Sequence, residues 1–296
     1  MVMDDGVTAC ITDTHFLMTI TTGGAANVLN WLEKWHQTEW PELEVYMTSV
    51  TDHWATAALV GPKSREVLAK LCADIDLKKD TFKFMDWRDG TVAGVPARVF
   101  RISFSGELAY EINVDASYGN YVWEELMQAG AEFDITPYGT ETMHVLRAEK
   151  GFIIVGQETD GSVTPIDLDM AWAVSMKKPY SFIGKRSLAR SDTVRTDRKQ
   201  LVGLLTEDPT IVLKEGAQII NSSNITPPVP MFGHVTSSYY SAFLGRSIAL
   251  ALVTNGFKRR DDPANNTIYA WAEGKAVKAT IVSPVFVDAE GARHLV

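Results

Sequence analysis

The stretch ARSDTVRTDRK, residues 189–199, is polar, charged and nearly free of apolar anchors, and it separates two parts whose apolar residues repeat differently. Before it, helical spacings alternate with strand-like runs. After it, LVGLLT, AQII, GHVTSS, SIALALV and KATIVSPV are short runs broken by Gly, Pro and Asn, with little helical periodicity. The division implies two domains: residues 1–190, in which helices and strands interleave, and residues 199–296, an all-β module read as a small barrel.

Within the first part, VTACI and HFLMTIT flank Thr12-Asp13-Thr14 and predict a hairpin. Gly23-Gly24 opens a helical pattern with Val28, Leu29, Leu32 and Trp35 on one face, stopped near Trp40 by Pro41. LEVYMTSV and ATAALV read as strands, and Gly61-Pro62-Lys63-Ser64 leads into a helix burying Val67, Leu68 and Leu71. RISFSGELAYEINVD, residues 101–115, reads as two strands joined by a Ser-Gly turn. A helix carrying Tyr121, Val122 and Leu126 ends at Gly130, and another carries Thr142, Val145 and Leu146.

With 296 residues, 46 % of them apolar, and a formal charge of −9, the chain is long enough to bury a sizeable core as a soluble globular protein. There is no run of eighteen apolar residues and no basic segment followed by an apolar block near the start, so no membrane partner is expected and the cytoplasm is the expected compartment. Cys10 and Cys72 lie in unrelated segments without metal-ligand spacing, which excludes a disulfide framework and a metal site of the usual kind. The acidic balance argues against a nucleic-acid partner, so any anionic ligand must be held by local groups.

No G-x-G-x-x-G, G-x-x-x-x-G-K-[ST], H-E-x-x-H or G-x-S-x-G occurs, so dinucleotide, Walker-type, zinc-protease and serine-hydrolase chemistry lack support. Four polar clusters remain. In the strand after the 105–106 turn, alternation puts Tyr110, Ile112 and Val114 on one face and Glu111 with Asn113 on the other. An ionised carboxylate offers only acceptors and fits a ligand edge with two adjacent N–H donors, such as a pterin edge; equally, Glu111 pairs with Arg101 across the sheet or faces water. Asp4-Asp5 before a strand reads either as a solvated strand start or as a carboxylate placed to stabilise a developing cation. Arg147 and Glu149 share a helix at i,i+2, where they do not meet, so each needs its own partner or is exposed. GQETDGSVTPIDLDMAW, 156–172, is a turn-rich loop in an ordered region, and GHVTSSYYSAFLGRSIALALV, 233–253, is the fourth cluster.

In this order the clusters resemble the glycine-cleavage aminomethyltransferases, or T-proteins, and their relatives at the C-terminal end of dimethylglycine dehydrogenases and of sarcosine oxidase alpha subunits. The matching features are Asp4-Asp5 before a strand, R-x-S-F-S-G-E-x-A-Y-E-I from Arg101, L-R-x-E-K-G from Leu146, G-Q-E-T-D with T-P-x-D-L-D-M-A-W, F-I-G-K-R-S-L from Phe182, and G-x-V-T-S-S-x-x-S-x-x-L-G-R-S-I-A-L-A from Gly233. TTGGAANVLNWLEKWHQTEWPEL and VTDHWATAALVGPKSREVL look most like the sarcosine oxidase branch.

The resemblance implies an α+β fold, with folate-binding α/β subdomains, N-terminally truncated because relatives carry a further folded segment upstream of the aspartate, then a C-terminal β-barrel. It implies tetrahydrofolate as cofactor, with no flavin or NAD site in this chain, and other sarcosine oxidase subunits as partners. Asp5 is the implied catalytic residue near the folate N10, with Asp4 as the register alternative. Glu111 is the implied pterin-binding glutamate, and Arg147, Arg101 and Phe104 complete the implied folate set, Phe104 standing where some relatives have tyrosine. The implied activity converts the iminium or formaldehyde from sarcosine demethylation to 5,10-methylenetetrahydrofolate. The alternatives are a free-standing aminomethyltransferase and a non-catalytic folate-binding module; relatives of the last kind carry a cysteine after Lys-Gly, where this chain has Phe152.

Overall fold

The computed structural model describes residues 1–296. They pack as two compact units: residues 4–139 with 290–296, here the sheet unit, and residues 1–3 with 140–289, here the barrel unit.

The sheet unit opens with an antiparallel hairpin, β1 (Gly6–Thr12) and β2 (His15–Ile20), and helix α1 (Ala25–Glu39). A four-stranded antiparallel sheet follows, from β3 (Trp54–Val60), β4 (Trp87–Val92), β5 (Val95–Phe100) and β6 (Ala109–Asp115), in the order β3-β6-β5-β4. Helices α2 (Ser64–Leu71) and α3 (Gly119–Gly130) cover one face, where Val67, Leu68, Val122 and Leu126 pack with Tyr110, Ile112 and Val114 of β6. Because side chains alternate along a strand, this packing turns Glu111 and Asn113 to the opposite face. The hairpin contributes Ala9, Val7, Ile11 and Leu17 to a smaller apolar cluster with Phe100, Ile102 and Trp87.

The barrel unit begins with α4 (Thr140–Glu149) and a long turn-rich segment. Strands β7 (Lys199–Thr206), β8 (Gln218–Ile220), β9 (Gly233–Ser241), β10 (Arg246–Thr254), β11 (Thr267–Ala272) and β12 (Lys275–Val282), with a short helix α5 (Gly256–Arg260), close into a six-stranded barrel in the order β10-β7-β12-β11-β8-β9. Val202, Leu204, Ala249, Ala251 and Val253 fill its interior. Leu201, Ile248, Leu250 and Leu252 point outward, but Ala148, Ile153, Val163 and Leu168 cover them. Burial on both sides is why LVGLLT and SIALALV are unbroken apolar runs rather than alternating ones. It is also why residues 140–190 pack with the barrel. The chain ends with α6 (Ala292–Leu295) in the sheet unit.

Two strand readings require correction. LEVYMTSV has no neighbouring strand and is irregular from Leu43 to Val50, with Tyr46 fully exposed, because a strand pattern without a ladder partner leaves its backbone polar groups to water. RISF does not continue β5: the strand ends at Phe100, where Arg101 N donates to Asp86 O (2.9 Å), and residues 101–108 form a loop. Helix α1 forms as expected, but none of its residues is fully buried.

Candidate functional site

Glu111 lies at the middle of β6, the central strand flanked by β3 and β5, opposite Ala58 on one side and Phe100 on the other. Neither neighbour carries a cation. The carbonyl of Glu111 accepts from Asn113 Nδ2 (3.3 Å), but its carboxylate receives no hydrogen bond and no ion pair. Burial pushes the carboxyl above its ordinary range, with no opposing charge to bring it back. Asn113 is fixed beside it, accepting from Thr56 Oγ1 (2.6 Å) and donating to Arg98 O (3.2 Å). The Tyr138 phenol is pushed up by burial and by the Glu111 charge, so this hydroxyl and this carboxylate share one environment. Nothing in the sequence singled out Tyr138, because its loop has no periodicity to fix a direction.

The acidic pair at the start of the sheet unit divides its labour. Asp4 Oδ1 accepts from the backbone of Asp5 (2.9 Å) and Thr21 (3.3 Å), and its carboxylate lies against Gly24 so closely that a Cβ there would sit 1.8 Å from Oδ2. Asp4 therefore ties the strand start to the segment leading into α1, and Gly24 makes room for it. Asp5 is half-buried and receives no side-chain donor. Burial, then the neighbouring Asp4 charge, raises its carboxyl above the ordinary range. Of the two, Asp5 carries the uncommitted carboxylate.

The arginines are committed elsewhere. Arg101, 1 % exposed, does not reach Glu111: Nη1 donates to Phe82 O, and Nη2 donates to His294 O (3.2 Å) and Val296 O. Phe104 sits partly exposed in the 101–108 loop, whose turn is held by Ser103 Oγ accepting from Gly106 N (3.0 Å) and Ser105 Oγ accepting from Glu107 N (3.2 Å). Arg147 belongs to the barrel unit and is fully buried. Its guanidinium donates to Glu158 Oε2 (2.9 Å), Gln157 Oε1 (2.9 Å), Ser237 Oγ (2.7 Å), Tyr239 Oη (3.3 Å) and Phe152 O (3.1 Å). Glu158 accepts in addition from Ser237 Oγ (2.6 Å) and Ile154 N (2.8 Å). Glu149 accepts from Ser241 Oγ, so Arg147 and Glu149 have separate partners, but they are buried rather than exposed. The sequence marked both G-Q-E and L-R-x-E; only folding shows that they pair.

A cavity of about 620 Å³ in the sheet unit is lined by Val7, Ala9, Cys10, Trp87, Asp89 and Phe100 among others. It opens beside the hairpin and touches the Glu111 strand only through the shared neighbour Phe100.

Residues 1–178 match the family described as GCVT N-terminal domain, and residues 199–288 match the glycine cleavage T-protein C-terminal barrel domain. The chain is 52 % identical over 99 % of its length to the sarcosine oxidase subunit alpha of Corynebacterium sp. (strain U-96), of which it spans 30 %. It is 29 % identical over 96 % of its length to an aminomethyltransferase of Thermotoga petrophila, spanning 72 % of that protein. The crystal structure of the glycine cleavage system aminomethyltransferase T from Bartonella henselae has the same fold, with a TM-score of 0.79 at 21 % identity over 97 % of this chain and 72 % of that one.

Proposed function

Because the chain belongs to the glycine-cleavage T-protein family, we propose that it is a tetrahydrofolate-binding one-carbon transfer module, the counterpart of the C-terminal part of a sarcosine oxidase alpha subunit. Bound there, tetrahydrofolate supplies the nitrogen nucleophiles that take up the one-carbon unit of sarcosine demethylation as 5,10-methylenetetrahydrofolate. The observation that carries the reading is the Glu111 carboxylate, desolvated on a rigid strand and without a donor of its own. A carboxylate so placed gains most from a ligand edge that brings two N–H donors at once, which is the chemistry of a pterin edge.

In this reading Glu111 orients the ligand, with Tyr138 and Phe104 as further contacts. Asp5 provides the carboxylate that stabilises positive charge developing at the one-carbon donor and exchanges a proton with it; its raised pKa keeps that exchange closer to neutrality. Arg101 and Arg147 are assigned a positioning role, since their terminal guanidinium nitrogens donate to acceptors within the protein. A folate-binding domain over residues 1–190 and a barrel domain over 199–296, a cytoplasmic location and association with further sarcosine oxidase subunits belong to the same proposal. The greater identity to the sarcosine oxidase subunit than to the aminomethyltransferase favours this branch over a free-standing enzyme.

Calorimetric titration of tetrahydrofolate into the chain and into Glu111→Gln tests the reading. Loss of a charge-assisted pair of bonds weakens binding by about 1.5–3 kcal/mol. Equal affinity of the two proteins overturns the assignment, and turnover with a lipoylated H-protein moves the chain to the aminomethyltransferase branch.

A further inference from the structure

Residues 290–296 pack in the sheet unit, where they gather around the loop between β5 and β6. Arg293 Nη1 bonds Glu107 Oε1 at 2.6 Å. The His294 ring lies against Phe84, with centroids 4.3 Å apart. The carbonyl oxygens of His294 and Val296 accept from Arg101, and Arg65 Nη2 adds a second donor to Val296 O (2.7 Å) while its Nε donates to Tyr110 Oη (3.2 Å). Since Arg101 also donates to Phe82 O, the segments around 82–84, 101–107 and 293–296 form one cluster centred on a buried guanidinium. A buried cation requires its acceptors, and two of the three that Arg101 uses come from the end of the chain.

The loop itself lacks a ladder partner. Its ends are held by Met85 N donating to Arg101 O (2.8 Å), by Gly61 N donating to Leu108 O (2.8 Å) and by the buried Ile102 and Leu108; Arg101 and Glu107 tie it to the 293–296 segment. It carries Phe104 and leads directly into the Glu111 strand.

We propose that residues 292–296 clamp the 101–108 loop, and that Glu107 and Arg293 are positioning residues that hold Phe104 and the entrance of the Glu111 strand in the ligand-binding arrangement. The ligand part of this inference rests on the tetrahydrofolate reading above.

A charge swap tests it in the full chain, with Glu107→Lys, Arg293→Glu and the double variant followed by hydrogen exchange and by tetrahydrofolate calorimetry. Each single variant raises exchange across residues 101–110 about threefold to fivefold, the range of a partly exposed ion pair. It leaves the barrel strands unchanged and raises the tetrahydrofolate Kd by a similar factor. The double variant restores both. Wild type that binds tetrahydrofolate while the single variants alter neither quantity, or alter exchange without Kd, overturns the inference. Wild type that does not bind overturns the functional reading instead, and the exchange data with their rescue then decide the clamp alone.

Discussion

Glu158 in the barrel unit and Glu111 in the sheet unit are both carboxylates drawn away from water, and their surroundings are opposite. Glu158 is fully buried, yet its oxygens accept from a guanidinium, a serine hydroxyl and a backbone N–H. Glu111 retains partial access to solvent and has no donor at all. A desolvated carboxylate with its partners in place is part of the framework. One without them is a cost that the fold carries, and such costs concentrate at binding sites. Burial alone would have pointed to Glu158; partner accounting points to Glu111.

The sharpest way to break this contrast is to remove one half of the satisfied pair. Glu158→Ala leaves Arg147 buried without its counter-charge, and the expected loss is about 3–5 kcal/mol in urea unfolding followed by tryptophan fluorescence. A loss under about 1 kcal/mol would mean that the Arg147 network is not the framework described here.

Glu111→Gln is expected to act with the opposite sign. Its folded-state pKa is raised, so the neutral form is favoured by the fold, and stability is lost as pH rises through the folded pKa. The neutral substitution should therefore raise the thermal midpoint at neutral pH, and the gain should vanish once the pH falls below the ordinary carboxylate range. A lower midpoint at neutral pH would reveal a hidden partner for Glu111.

The smallest effects separate the acidic pair. Asp4→Ala removes the acceptor for the Asp5 and Thr21 N–H groups and costs about 1 kcal/mol of stability, by analogy with the loss of a helix cap. Asp5→Asn changes stability by no more than about 0.5 kcal/mol, in the stabilising direction at neutral pH, because burial and Asp4 raise its carboxyl as burial raises that of Glu111. Its predicted effect is functional: one-carbon capture falls while tetrahydrofolate affinity is unchanged. Normal capture by Asp5→Asn would remove its catalytic assignment.

Much of the architecture was legible because it rests on short-range patterns. The hairpin at residues 6–20, helices α1 to α4 and the barrel runs follow from apolar spacing, and alternation along β6 already placed Glu111 opposite the Tyr110 face. Where pattern and structure part, the deciding contact is distant. LEVYMTSV has the composition of a strand but no partner, and RISF is drawn out of β5 by Arg101, whose acceptor Val296 lies 195 residues away.

The sequence alone determined where the main helices and the barrel strands lie, that a β-barrel follows a mixed part, and which motifs stand in the family's order. It could do so because periodicity reports burial within a few residues of chain. Only the tertiary structure decided which charged groups are satisfied. Arg147 meets Ser237 across 90 residues and Glu158 across 11, while Glu111 meets no donor and Asp5 only its own backbone N–H, because hydrogen-bond partnership depends on where distant segments are brought together.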